Sequence, residues 1–160
     1  MEIRPARPGE AQILTKIAKT AKAYWGYPAA WLEEWRDLLT ITPQFVEANE
    51  TFAAVVKGEI VAFYALVTSG GTLRLEHLWV LPEQMRHGIG RKLFEHAVGR
   101  AKSRGVLCLT IEADPNAETF YRHMGAVKIG AISTKVEGGH RELPLLSFDL
   151  RNRIGIAGNA

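Results

Sequence analysis

HLWVLPEQMRHGIGRKLF, the stretch from His77 to Phe94, decides which fold this chain can adopt. It begins with residues typical of a β-strand, passes through a turn that contains Gly88 and Gly90, and ends in an apolar helical repeat. Glycine lacks a Cβ, so the backbone at such a turn can come close to a ligand. The first N–H groups of a helix have no intrahelical partner and carry partial positive charge. The stretch therefore predicts an anion site suited to a phosphate or diphosphate. Three cations flank it: Arg86, Arg91 and Lys92.

The spacing of the glycines excludes two common phosphate-binding motifs. The string G-x-x-x-x-G-K-[ST] of a P-loop does not occur in the chain. The dinucleotide fingerprint G-x-G-x-x-G fails because Leu93 stands at the third glycine position. A different phosphate-bearing ligand is therefore expected.

Length and composition predict an ordinary globular protein. The chain has 160 residues, of which 47% are hydrophobic. We expect a single domain over residues 1–150 and a flexible tail over residues 151–160. The single Cys108 excludes an internal disulfide and suits a reducing cytoplasm, and the first residues lack the apolar run of a signal peptide.

The charge and apolar patterns argue against two classes of partner. The net charge of +3 is spread along the chain without a basic run, so we expect no nucleic-acid binding. The longest apolar stretch, Val61 to Val67, is too short to cross a membrane, and no membrane partner is expected. A mildly basic protein does suit an anionic ligand.

The order of predicted elements indicates an α/β fold with a mixed sheet. A first strand precedes two helices, the second over Ala29 to Leu39; three strands, a helix, a strand, a short helix and two strands follow. The apolar run from Val106 to Ala113 predicts a strand buried on both faces. The last two strands are expected over Val127 to Ile132 and Leu145 to Leu150, joined by a loop that carries residues 137–141.

A second motif, DPNAETFYRHMGA from Asp114 to Ala126, follows the glycine turn. The two motifs, in this order, resemble those of the GNAT superfamily of N-acetyltransferases, and the match covers roughly residues 73–130. The resemblance implies a mixed central sheet with splayed parallel strands, flanked by helices on both faces. The gap between the strand that ends near Val80 and the strand that starts near Val106 would admit the pantetheine arm of acetyl-coenzyme A. It also implies an amine acceptor and no metal.

The resemblance assigns cofactor-binding positions in three groups. The strand segment Leu78, Trp79 and Val80 would bind pantetheine and polarise the thioester through its backbone. The turn Met85, Arg86, His87, Gly88, Ile89, Gly90 and Arg91 would bind the diphosphate. Asn116, Phe120 and Tyr121 would contact the thioester end. Met85 departs from the Gln or Arg of the family, and Arg86 stands where Gly is frequent.

Two side chains are candidates for acid–base chemistry. Glu76 shares a strand face with Leu78 and Val80 and is the candidate base that removes a proton from the amine. A surface ion pair is the alternative role for Glu76. His77 points to the opposite face of the strand, and an orienting or structural role is expected for it. Tyr121 is the candidate acid for the departing thiolate, since a phenol ordinarily has a pKa of about 10.

The resemblance implies that the first two helices and their connection form one wall of the acceptor site, and a dense aromatic segment lies there between residues 24 and 35. Aromatic faces attract a cationic amine. Trp25 and Tyr27, on a turn, are the candidate substrate-binding residues, whereas Trp31 and Trp35 have the i, i+4 spacing of helix core. Cys108 lies in an apolar run and is expected in the core rather than as a nucleophile.

These features predict direct acetyl transfer from acetyl-coenzyme A to a primary amine of an unidentified acceptor. The alternative is an acyl-coenzyme A-binding module without turnover. We expect a monomer or a homodimer.

Overall fold

The computed structural model describes residues 1–151 and places helices around a β-sheet. The strands are β1 (Glu2–Pro5), β2 (Glu50–Val56), β3 (Glu59–Ser69), β4 (Thr72–Val80), β5 (Cys108–Glu112), β6 (Val127–Val136) and β7 (Gly139–Asp149). The α-helices are α1 (Ala11–Ala23), α2 (Ala29–Glu34), α3 (Pro43–Ala48), α4 (Ile89–Ser103) and α5 (Glu118–His123). Short 3-10 turns cover Pro8–Glu10, Pro82–Gln84 and Pro115–Ala117.

Within residues 1–151 the strands form a seven-stranded mixed sheet in the order β1-β2-β3-β4-β5-β7-β6. β4 and β5 are parallel, and their register pairs Leu73 with Leu109 and Arg74 with Thr110. The β1/β2, β2/β3, β5/β7 and β6/β7 pairs are antiparallel. This mixed sheet, flanked by helices, confirms the predicted fold class.

The described chain divides into two compact units, the first comprising Met1–Leu66 and His77–Phe94. Its helix α1 buries one apolar stripe at three- and four-residue steps, formed by Leu14, Ile17, Ala18 and Ala21. Each fully buried Leu or Ile side chain stabilises the fold by about 1.5–3 kcal/mol. The Thr15 hydroxyl, which donates to the Ile41 carbonyl and accepts from its N–H, ties α1 to the segment before α3.

The second unit comprises Val67–Glu76 and the chain from Glu95 onward. Leu109, Ile111, Leu146 and Phe148 are fully buried, and they come from the facing strands β5 and β7. Gly125 adopts φ +109, and a Cβ there would lie 3.2 Å from Phe148 Cε2. Glycine is therefore required where α5 ends and the chain turns toward β6.

Three local predictions were wrong. The second helix ends at Glu34 rather than Leu39, and Leu38 is 72% exposed. β5 alternates between buried and exposed positions, so it is not buried on both faces and Cys108 is exposed rather than in the core. The cause is that β5 is antiparallel to β7 on one side, and strands of antiparallel sheets can leave one face in water.

The loop expected at residues 137–141 is much shorter, because β6 extends to Val136 and β7 begins at Gly139. Residues 152–160, which hold most of the predicted tail, lie outside the described residues. In the described part of the chain, no helix combines the length and apolar character needed to cross a membrane. The expectation of one domain over residues 1–150 stays a prediction.

Candidate active site

The glycine turn of the first unit joins β4 to α4. After the 3-10 turn Pro82–Gln84, Met85 is extended, and then Arg86 and Gly88 both adopt left-handed backbone at φ 66 and φ 80. The Gly88 carbonyl accepts a hydrogen bond from the Lys92 N–H at 3.1 Å, so the helix starts directly after Gly88. The first N–H groups of α4 follow this residue, and the helix itself does not use them. The geometry is that of an anion-binding helix start.

Left-handed backbone at the two positions has different causes. A Cβ on Gly88 would meet no protein atom within 4 Å, so the space above the turn is open to a ligand. Arg86 adopts the conformation that a glycine would supply, at a cost on the order of 1 kcal/mol for a residue with a Cβ. The departure from the family pattern at Arg86 therefore leaves the shape of the turn intact. Arg86, His87, Arg91 and Lys92 are all exposed around it.

The end of β4 carries a buried histidine and a tryptophan that contact each other. Trp79 Nε1 donates a hydrogen bond to His77 Nδ1 at 3.0 Å. An indole nitrogen is a donor only, so His77 Nδ1 is unprotonated and its proton lies on Nε2. The His77 ring also packs against Phe45 and Phe63, with ring centroids 5.6 Å and 5.9 Å away. His77 thus orients Trp79 from inside the unit.

The aromatic segment surrounds one of the protein's own cations. Lys22 is 9% exposed, and its Nζ lies 5.0 Å, 4.5 Å and 5.9 Å from the ring centroids of Tyr27, Trp35 and Trp79. Cations at these distances are attracted by the ring faces. Tyr27 also packs against Trp31 with centroids 6.0 Å apart. The ring face of Tyr27 predicted to attract an acceptor therefore already attracts Lys22.

Trp25 lies outside this cluster. It is 41% exposed and forms an edge-to-face pair with Tyr24, which is 52% exposed, at a centroid distance of 5.0 Å. Large exposed aromatic pairs are uncommon on a surface without a partner. Trp25 is thus exposed at the surface, whereas the ring of Tyr27 lies against Lys22.

In the second unit, Glu76 is ion-paired. Its carboxylate accepts a hydrogen bond from Arg74 Nε, and Arg74 Nη1 lies 3.3 Å from Glu112 Oε2. The alternative predicted for Glu76, a surface ion pair, is therefore present in the structure. About a third of the Glu76 side chain is exposed to water, so the pair with Arg74 is a weak surface ion pair.

Asp114 organises the second sequence motif. Its Oδ1 accepts hydrogen bonds from the Asn116 N–H at 2.8 Å and from Asn116 Nδ2 at 2.9 Å. Its Oδ2 lies 3.7 Å from Arg141 Nη2, and these two side chains are only 9% and 11% exposed. The contact with Asp114 fixes the orientation of the Asn116 amide, which is the group proposed to meet pantetheine.

Tyr121 is buried at 6% exposure, and its ring packs edge-to-face against Phe120 at 5.2 Å. Burial raises the pKa of the Tyr121 hydroxyl well above its usual value, and the negative charge of Asp114 raises it further. The phenol therefore stays protonated at any physiological pH and is a hydrogen-bond donor.

Three charged residues of these clusters were not predicted: Lys22, Arg74 and Glu112. Lys22 lies two residues before the aromatic segment, near the end of α1. Arg74 lies two residues before Glu76 on the same strand face, so period-2 spacing could have suggested Arg74. Glu112 required knowledge of the strand register. Across residues 1–151, no group of three or more His, Cys, Asp or Glu side chains is placed to hold a metal ion.

Comparison with known proteins identifies the family. Residues 25–143 match the model of the acetyltransferase (GNAT) domain. The chain belongs to the GNAT acetyltransferase family. No curated protein sequence matches this GNAT chain significantly.

Solved structures share the GNAT fold over nearly the whole chain. A GCN5-related N-acetyltransferase from Rhodopseudomonas palustris has a TM-score of 0.78 at 21% identity, with 92% of this chain and 94% of that one covered. The PaiA N-acetyltransferase of Thermoplasma acidophilum, solved with coenzyme A, has a TM-score of 0.70 at 16% identity, with coverage of 92% and 98%. The ribosomal-protein-S18-alanine N-acetyltransferase of Escherichia coli has a TM-score of 0.69 at 18% identity, with 93% of each chain covered.

Proposed function

We propose that this GNAT protein transfers an acetyl group from acetyl-coenzyme A directly to the nitrogen of a primary amine. The observation that supports this most strongly is the helix start at Gly88, where open space, N–H groups without an intrahelical partner and exposed cations coincide. A diphosphate carries the charge and the oxygen acceptors that such a helix start binds.

The donor would be held by the residues that the family motifs assign. The turn from Met85 to Arg91 would hold the diphosphate, and the backbone of Leu78, Trp79 and Val80 would hold pantetheine and polarise the thioester carbonyl. Asn116, oriented by Asp114, would bind the pantetheine arm, with Phe120 beside Tyr121.

The reaction would need two protons removed from the acceptor nitrogen and one delivered to the sulfur. Glu76 accepts a proton from the acceptor ammonium, directly or through water, and the neutral amine nitrogen then forms a bond to the carbonyl carbon. The carbon–sulfur bond breaks as the amide forms. Tyr121 donates a hydrogen bond to the sulfur, and its proton follows as the thiolate leaves. The nitrogen loses its second proton to water, and water returns a proton to the Tyr121 oxygen. Because the pKa of Tyr121 is raised in the unliganded protein, the phenol keeps its proton and acts on the developing thiolate first as a hydrogen-bond donor.

The acceptor would bind against the aromatic segment, with Trp25 as its exposed contact and Tyr27 beside the Lys22 cluster. We assign no particular amine.

A matched pair of glycine variants tests donor binding. Gly88 and Gly58 both have φ near +80 and open space around the Cβ position, so valine strains the backbone equally at either place. Saturating acetyl-coenzyme A should raise the melting temperature of the wild type and of Gly58→Val, but not of Gly88→Val. Equal shifts in both variants would refute the diphosphate site.

Turnover is tested separately, by coenzyme A release in the presence of pooled primary amines. Release that depends on an amine is expected for a transferase. A melting shift with acetyl-coenzyme A but no release with any amine would instead support the binding module without turnover.

A further inference from the structure

Glu76 and Glu112 share one guanidinium in the second unit. Arg74 donates from Nε to Glu76, and its Nη1 lies 3.3 Å from Glu112 Oε2. The parallel register pairs Arg74 with Thr110. Glu76 lies two residues beyond Arg74 and Glu112 two residues beyond Thr110, so both carboxylates project from the same face at the same level of neighbouring strands.

The cluster of Arg74, Glu76 and Glu112 contains more negative than positive charge. One arginine faces two glutamates, so the three side chains carry one net negative charge. If one carboxylate leaves, the guanidinium still has the other as a partner. The Arg74, Glu76 and Glu112 side chains are 32%, 34% and 34% exposed, and ion pairs exposed to this degree are weak. Exchange of partners at Arg74 therefore has a low energetic cost.

We infer that Glu112 is a positioning residue that holds Arg74 while Glu76 turns to the acceptor amine. This inference rests on the proposed function, in which Glu76 is the base. In the resting enzyme Arg74 orients the Glu76 carboxylate. When the acceptor ammonium arrives, Glu76 exchanges Arg74 for the ammonium and takes its proton, and Arg74 keeps Glu112 as its counter-ion.

Without Glu112, the guanidinium would have Glu76 as its sole carboxylate partner within this cluster. Release of Glu76 would then leave Arg74 uncompensated, so the base would be held back from the amine. Removal of Arg74 in the same protein would free Glu76 again. The effect of Glu112→Gln should therefore depend on Arg74.

The experiment compares steady-state kinetics of the wild type, Glu112→Gln, Arg74→Met and the double variant, with an amine that supports coenzyme A release. Glu112→Gln should lower kcat/KM for the amine about threefold, the size of effect expected from an ion pair exposed to this degree, and leave the KM for acetyl-coenzyme A unchanged. The double variant should recover part of that loss. Asp149→Asn is the matched control, because Asp149 on β7 is a carboxylate paired with an arginine, Arg151. This variant should behave as wild type.

Other results would overturn the inference. Wild-type kcat/KM in Glu112→Gln would do so, as would a double variant slower than Glu112→Gln, because the loss would then not arise from a trapped Glu76. A larger loss in Glu112→Gln than in Glu76→Gln would make Glu112 the base and reverse the assignment. Absence of amine-dependent release in the wild type would refute the proposed function itself, and that result is visible before any variant is made. Thermal unfolding of each variant verifies that it is folded.

Discussion

At the residue scale, the environment of Tyr121 sets what its hydroxyl can do. The side chain is 6% exposed, and the Asp114 carboxylate adds a negative charge that disfavours a phenolate. Both effects raise the pKa of Tyr121, so in the unliganded protein the hydroxyl is a weak acid and a persistent donor. Its contribution to catalysis would therefore grow with the negative charge that develops on the sulfur.

Tyr121→Phe should lower kcat about 10²-fold, the usual contribution of one proton donor. The KM for acetyl-coenzyme A should change little, because the ring and its packing against Phe120 are kept. Coenzyme A release under saturating substrates measures the effect. Tyr24→Phe, at an exposed position, is the control. A kcat within twofold of wild type would exclude Tyr121 as the donor.

At the element scale, the short helix α5 depends on the residues that precede it. Isolated helices of this length are not stable in water, so α5 needs tertiary anchors. Asp114 supplies them, because it caps the 3-10 turn before α5 through the Asn116 N–H and lies 3.7 Å from Arg141 on β7. The position of Asn116 and Tyr121 is thus tied to β7 through one carboxylate.

The variant Asp114→Asn distinguishes the capping role of Asp114 from the effect of its negative charge. Asparagine caps as well as aspartate, so the turn should persist, whereas the attraction to the largely buried Arg141 is lost. We expect unfolding free energy to fall by about 2 kcal/mol in urea titrations. The pKa of Tyr121 should fall, since one of its two causes is removed, and alkaline absorbance titration of the phenols measures this. An unchanged Tyr121 titration would show that burial sets the pKa without help from Asp114.

Sequence spacing predicted the elements better than their burial. The apolar positions Leu93, Phe94, Ala97 and Ala101 of α4 are all buried, because a helix of fifteen residues shows several full periods. A five-residue strand such as β5 shows too few periods, so its exposed Cys108 and the exposed Leu107 just before it could not be distinguished from core residues. The same limit hid the cluster of Arg74 and Glu112, since spacing gives neighbours along a strand but not across two strands.

At the scale of the whole molecule, acid stability should depend on Glu10. Arg4 on β1 donates two hydrogen bonds to the Glu10 carboxylate, at 2.9 Å and 2.7 Å, and the Arg7 N–H donates a third at 2.8 Å. Arg4 is the main cause that lowers the pKa of Glu10 from 4.5 to about 2. A carboxylate whose pKa is lower in the folded state stabilises the folded protein. This stabilisation is complete at pH values above the pKa of the unfolded state and is lost at pH values below the pKa of the folded state.

The Glu10 contribution should therefore be complete at pH 7 and disappear as the pH falls from about 4.5 to about 2. Glu10→Gln should lower the unfolding free energy by about 1 kcal/mol at pH 7, and the difference from wild type should vanish near pH 2. Urea unfolding at several pH values gives both numbers. Glu47→Gln on α3 is the exposed control. A difference that is constant with pH would show that Glu10 acts through packing rather than charge.

The overall topology followed from two motifs and the order of elements, because a glycine turn between a strand and a helix allows few arrangements. The left-handed turn before α4 was predictable for the same reason, since it depends on the glycine at Gly88. The aromatic contacts of Trp25, Tyr27 and Trp35 were not predictable, because a loop and short helices bring these rings together and no periodicity encodes their packing.

The cluster around Lys22 also bears on inhibitor design. A cation that is covalently attached to the chain competes with any dissolved cation at an effective concentration in the millimolar range or above. An amine that bound the faces of Tyr27, Trp35 and Trp79 in the manner of Lys22 would first have to displace the Lys22 ammonium. Positively charged ligands of low affinity would therefore not bind these rings. Neutral heterocycles that stack beside Trp25 would make better starting compounds for an inhibitor.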